Sequence, residues 1–247
     1  MLLTISLAFL LFLILAGFLV ASPLASRRSQ QLRHLCHEQH NHKWHYRPYG
    51  HLAREVKAGR FEIIERCEHR LFRHMVEGYW PSPQIVNSVA GSNTLTLFNL
   101  LDCSLVAPHE TLTQTLIMMP LQSPMPSEFK CLISPKHSNF KHFSGDAFAE
   151  YQDDQLKSLL QHQVPTELSE RHIASSKPGF CSSLVHEMPL KHWLLTYPHL
   201  HIEISNDILL VYKQNSIVDA ADITTALDIV AELNRFLANN NKTMDSK

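Results

Sequence analysis

The sequence predicts an α+β domain, an antiparallel sheet packed with helices, behind a single N-terminal transmembrane helix, and three observations predict it. Leu2 to Val20 are nineteen consecutive residues without a charge, and at about 1.5 Å per helical residue they match the ~30 Å hydrocarbon core of a bilayer. From residue 84 onward, segments rich in Ile, Val, Leu and Thr follow one another through short polar turns, as hairpins do and βαβ crossovers do not. The chain then ends on a long amphipathic helix. In outline this arrangement resembles a pleckstrin-homology-like scaffold, at the level of fold alone.

The apolar run has a competing reading as a secretory signal peptide. No Lys or Arg precedes it, and the small-residue sites behind it are spoiled by Pro23, so the features of cleavage are weak. Arg27, Arg28, Arg33 and Lys43 follow the run, which by the positive-inside rule keeps the bulk of the chain in the cytoplasm. The expected localisation is therefore a single-pass membrane protein. Cys36, Cys67, Cys103, Cys131 and Cys181 are odd in number and widely spaced, a poor disulfide framework that suits a reducing compartment.

The expected organisation is an anchor over 1–22, a basic, histidine-rich juxtamembrane helical region over 23–80, the α+β domain over 81–238 and a disordered tail over 239–247. Charge divides the chain. Residues 22–80 hold eleven Lys and Arg against six Asp and Glu, and residues 81–247 hold eleven against seventeen. A basic segment beside the membrane exit attracts anionic lipid, at about 1 kcal/mol per basic residue near the surface; the arm over 27–57 is the expected contact. Its basic residues alternate with Glu, which argues against a nucleic-acid stripe. Seven glycines, all scattered, leave no loop to cradle phosphate.

His34, Cys36, His37, His40, His42 and His45 crowd the first stretch after the span. On a helix several of these pairs fall three or four residues apart, a spacing that lets two side chains face one ion. Imidazole and thiolate suit zinc, copper or nickel, so the expected cofactor, if any, is a metal such as zinc. The alternative is an interfacial segment in which Trp44, Tyr46 and Tyr49 sit at head-group level.

Taking the elements in order, Leu52, Val56, Ile63, Ile64, Cys67, Leu71 and Met75 recur at helical intervals and predict helix over 52–76; Gly59 weakens its middle, which leaves two helices, or a helix followed by a short strand at Phe61 to Ile64, as the alternatives. Gln84 to Ala90 and Thr94 to Asp102 read as a hairpin around Gly91-Ser92-Asn93, followed by strands at Leu112 to Pro120 and Phe129 to Ser134. Asp153 to Gln163 reads as a short helix, Thr166 to Gly179 as polar loop and Ser182 to Leu195 as a helix that Pro189 kinks or splits. Leu200 to Ser205 alternates, with Leu200, Ile202 and Ile204 on one face and His201, Glu203 and Ser205 on a solvated one. Asn206-Asp207 turns the chain into a buried strand at Ile208 to Tyr212. Asp219 then caps a helix whose stripe is Ile223, Ala226, Leu227, Val230, Leu233 and Leu237.

Chemistry is less legible. There is no G-x-S-x-G and no H-E-x-x-H. A thiol-dependent hydrolase would use Cys181 as nucleophile, His186 or His201 as base and Glu203 as the orienting carboxylate. A binding or scaffold module needs only the sheet and the arm, with a protein partner for the acidic face of Asp146, Glu150, Asp153 and Asp154.

The stretches Ile85-Val86-Asn87-Ser88-Val89-Ala90-Gly91 to Leu97-Phe98-Asn99-Leu100, Pro126 through Phe129-Lys130-Cys131-Leu132-Ile133-Ser134-Pro135, and Leu200 to Tyr212 before the amphipathic helix together resemble an uncharacterised family of bacterial membrane-anchored domains. Members of that family carry Asp-Tyr where Asn99-Leu100 stand here. The resemblance covers residues 84–238; it implies an α+β domain behind an inner-membrane anchor, and it supplies no catalytic residues.

Overall fold

The computed structural model describes residues 27–49, 61–65, 69–81, 95–106, 111–123, 129–135, 166–169, 171–175, 188–205 and 207–244. The span Leu2 to Val20 and the expected elements at 84–90 and 153–163 lie outside them. Among the described residues no helix is long and apolar enough to cross a membrane.

The chain is α+β, built on one antiparallel sheet. Helix α1 (residues 27–38) leads through a 3-10 turn at His40–His42 into β1 (His45–Tyr49). A short helix α2 (Glu62–Glu65) precedes β2 (His69–Pro81), β3 (Leu95–Val106), β4 (Thr111–Pro120) and β5 (Lys130–Pro135). After a 3-10 turn at Thr166–Leu168 come β6 (Arg171–Ser175), α3 (Met188–Thr196), β7 (Leu200–Ser205) and β8 (Ile208–Lys213). A turn at Ala220–Asp222 opens α4 (Ile223–Met244). The eight strands lie in the order β1-β2-β3-β4-β8-β7-β5-β6, and every neighbouring pair is antiparallel. β1 and β6 are its two edges, so the described strands form an open sheet and not the closed barrel of a pleckstrin-homology-like scaffold.

Helices cover one face. Leu32 and Cys36 of α1, Leu190, Trp193 and Leu194 of α3, and Leu227, Val230, Leu233 and Leu237 of α4 share a core with Val76, Phe98, Leu100, Ile117, Met119, Ile202 and Val211. The α4 stripe expected from the sequence is the one buried. Side-chain bonds fix the layers in place: Trp193 Nε1 donates to the Ile229 carbonyl at 3.2 Å, and Asn234 Nδ2 donates to the Pro120 carbonyl at 2.8 Å. The Arg171 guanidinium donates to the carbonyls of Leu194, Tyr197 and Leu200, satisfying the open end of α3. The second face is also a core, with Phe61, Ile63 and Ile64 laid over Leu101, Leu105, Leu112, Leu116, Leu210 and Tyr212. Burial on both faces is why β4 and β8 read as continuous apolar runs.

Several expectations differ from this architecture. The histidine-rich region does not stand apart from the α+β unit: α1 packs in its core and β1 and β2 are strands of its sheet, so the boundary expected at 80/81 falls inside β2. Residues 69–76, expected as helix, belong to the extended β2; a bulge between Arg73 and Val76 breaks the period of two, which is why their spacing reads as helical. His74 sits in that bulge with φ 51°. Leu71 and Arg73 share the helix-covered face before it, and Val76, Gly78 and Trp80 take that face after it. Gly78 is required there, since a Cβ would lie 2.6 Å from Trp44 Cδ1. Residues 171–175, expected as loop, form the edge strand β6, with Ile173 its buried apolar residue. Pro189 lies in the first turn of α3, where its missing N–H costs nothing; residues 182–187 of the expected helix lie outside the described residues. Backbone helix continues past Ala238 to Met244, where a disordered tail was expected.

Candidate functional site

The junction between α1 and the sheet is the most strongly built polar site among the described residues. Tyr49, Arg73, Asp102 and Thr115 pair in one row across β1 to β4, and the row continues where Thr115 N donates to the Ser216 carbonyl at 3.0 Å. The first turn of α1 lies over this row. Arg28 Nε donates to Asp102 Oδ2 at 3.2 Å and Nη2 to Asp102 Oδ1 at 3.4 Å, while Nη2 also donates to the Val218 carbonyl at 2.7 Å. Thr115 Oγ1 donates to Asp102 Oδ1 at 2.6 Å and accepts from Val218 N at 3.0 Å. The side chains of Arg28 and Asp102 are 15% and 8% exposed, so the pair is largely withdrawn from water and its geometry must be good to hold.

Beside it, the Tyr46 hydroxyl lies 2.8 Å from Ser29 Oγ and 2.9 Å from His74 Nδ1. Burial lowers the His74 pKa; the Asp102 charge opposes that shift, and Arg28 and Arg73 reinforce it. The helix then runs along the sheet from this row toward Trp80, and its end is fixed by Trp44. That indole packs edge-on to Phe98 at 4.9 Å and donates Nε1 to the Tyr79 carbonyl at 3.1 Å.

The six metal candidates part company on this scaffold. Cys36 turns into the core with Leu32, and burial pushes its thiol up to about 11, a poor state for a thiolate ligand. His34 is exposed and 3.4 Å from Glu38; His37, His40 and His45 are exposed, and His42 lies against the Trp80 ring at 6.2 Å. Among the described residues no three His, Cys, Asp or Glu side chains are placed to hold one ion.

The hydrolase candidates divide in a different way. Cys181 and His186 lie outside the described residues, as do Asp146, Glu150, Asp153 and Asp154. His201 and Glu203 do not line a solvated strand face: they are 1% and 3% exposed, because the Phe61–Glu65 segment covers that side of the sheet. Glu203 Oε1 accepts from Ile63 N and from the Tyr212 hydroxyl, each at 3.2 Å. His201 stacks on Tyr212 at 4.8 Å with the rings 8° apart. On the same face the buried amide of Gln114 and the Ser134 hydroxyl have no hydrogen-bond partner among the described residues.

Burial, helped by the Arg171 charge, lowers the His201 pKa from 6.5 to about 3. Between those values the unfolded chain binds a proton that the folded chain refuses. This contribution to stability is thus complete above about pH 6.5 and is lost as pH falls toward 3. His201→Gln is expected to flatten the acid loss of stability relative to the parent chain, measured as the difference in urea midpoint between about pH 7 and about pH 4.

Sequence reasoning missed Asp102, Thr115, Tyr46 and His74 as a site. Their signal was available only in part, as a lone carboxylate closing the expected strand Thr94 to Asp102. A shallow groove of about 460 Å³ lies between α1 and the turn before α4, lined by residues that include Gln31, His34, Glu38 and Ala220.

No family model matches the chain, and no curated protein does. Among solved structures it is similar to the crystal structure of the mycobacterial trehalose monomycolate transport factor A, TtfA. The two are 11% identical over 87% of this chain and 94% of that chain, with a TM-score of 0.47, a likeness too remote to bear on the role of this chain.

Proposed function

We propose that the chain is a membrane-anchored binding or scaffold module, its α+β domain held on the cytoplasmic side close to the bilayer. The observation that carries this reading is the Arg28–Asp102 junction. Seven residues, 21–27, separate the apolar run from Arg28, a reach of at most about 29 Å if fully extended. An anchor followed so soon by a docked helix limits how far the sheet can move from the membrane. The burial of His201 favours a binding role over a thiol hydrolase that uses His201 as its base, because a base has to reach the substrate.

Extraction of membranes at alkaline pH tests the anchor. The full chain is expected to stay in the pellet and a chain lacking residues 1–21 to be released, with the domain digested by protease added from the cytoplasmic side. Release of the full chain, or protection of the domain from that protease, overturns the reading.

A further inference from the structure

We infer that the end of the sheet where α1 begins is a contact surface for anionic lipid, formed by Arg27, Tyr49, Leu71, Arg73 and Ile217. The inference rests on the membrane-anchor reading and deepens it. The first turn of α1 lies over the row Tyr49, Arg73, Asp102 and Thr115, and α1 runs away from that row toward Trp80. The chain therefore enters the domain at this end, and this end is the one an anchor presents to the bilayer.

The residues there have the chemistry of an interface. Tyr49 is 72% exposed, Leu71 45% and Ile217 37%, three large apolar side chains left in contact with solvent at one end of the sheet. Tyr49 flanks Arg73 directly, and Leu71 lies beyond Arg73 on the same face of β2. Ile217 sits on the other side of the Arg28–Asp102 pair, between Ser216, whose carbonyl accepts from Thr115 N, and Val218, whose N–H donates to Thr115 Oγ1. At the usual strand spacing of about 4.8 Å, Tyr49 and Ile217 stand roughly 20 Å apart. That is wide enough to steady a domain on a surface.

Arg27 and Arg73 are exposed beside them. Asp102 is neutralised by Arg28, and the exposed Asp219 follows beyond Val218 at the far end of the row. Aromatic and aliphatic side chains among cations fit the head-group region of an anionic leaflet, where rings settle and basic residues are attracted. The lipid contact thus belongs to strand β2 and the β8–α4 connection as much as to the arm over 27–57. The other exposed large apolar side chains of this hairpin, Tyr79, Leu95 and Leu97, lie at the opposite end of β2 and β3, and Leu97 serves as a control.

The test uses the full chain reconstituted into vesicles, with a coumarin amino acid at position 71, 217 or 97 and quenching by lipids spin-labelled on the head group. With roughly a third of the lipid phosphatidylglycerol, quenching at 71 and at 217 is expected to exceed that at 97 by roughly threefold or more, and to fall toward the level at 97 in phosphatidylcholine alone or with Arg27→Glu and Arg73→Glu together. Equal quenching at 71, 217 and 97 in a chain that resists alkaline extraction overturns this surface and leaves the anchor standing. A full chain that extracts at alkaline pH overturns the anchor, and this inference with it. Quenching at 71 and 217 that exceeds 97 but ignores lipid charge and both arginine changes overturns the anionic preference.

Discussion

Asp102→Ala is expected to destabilise the full chain in detergent by about 3 kcal/mol, measured by urea unfolding, because it strands a largely buried cation. Asp102 accepts from both Arg28 Nε and Nη2 and from Thr115 Oγ1. After its removal the guanidinium keeps the Val218 carbonyl as its remaining acceptor in this network. The pairing itself contributes less than the loss of one member suggests, since both charges were desolvated to make it. Arg28→Met combined with Asp102→Leu should therefore be the more stable of the two variants by about 1 kcal/mol or more. A loss below about 0.5 kcal/mol for Asp102→Ala would mean that the pair is solvated and that α1 is not held by it.

Trp44→Ala is expected to cost about 3–5 kcal/mol in the same assay, the range for deleting a buried indole. Trp44 is 4% exposed, fills the space that Gly78 leaves open, and packs on Phe98 and Trp80. Gly78→Ala should also destabilise, by about 1–3 kcal/mol, because the new methyl meets the Trp44 ring and backbone and neither can move far in a packed core. If Trp44 instead lay among lipid head groups as part of an arm, both changes would leave the urea midpoint where it is.

The parts of the fold that were legible are those whose pattern survives burial. β4, β5 and β8 are short apolar runs bounded by turn residues, and the α4 stripe at 223, 227, 230, 233 and 237 repeats at the helical period. β2 was hidden by its own bulge. Once His74 inserts an extra residue, the apolar positions Leu71, Phe72, Met75 and Val76 fall three and four apart, and a strand imitates a helix. Alternation in β7 correctly separated Ile202 and Ile204 from His201 and Glu203, but it did not reveal that the polar face is covered too. The clue lay in β8: a run of Ile-Leu-Leu-Val-Tyr is buried on both sides, and its hairpin partner shares that environment.

The site was less legible than the fold. The eye goes to the histidines of residues 34–45, yet the stripe that positions the segment is Leu32, Leu35 and Cys36, whose i, i+3, i+4 spacing puts the thiol in the core and leaves most of the imidazoles outside. Arg28 and Asp102 are 74 residues apart, and no local pattern joins them. Deleting the arm over 27–57 would therefore remove a core helix and an edge strand, so point changes at exposed positions are the proper probes of lipid contact.

Residues 27–49 belong to the α+β unit, α1 through its core and β1 through its sheet. Amide hydrogen exchange on the full chain in detergent measures this. Protection at Leu32 to Cys36 and at Tyr46 within the range of the β3 and β4 amides is expected, with its loss from α1 alone in Asp102→Ala. Exchange across 27–49 at the rate of an unstructured peptide, beside a protected β3 and β4, would contradict it.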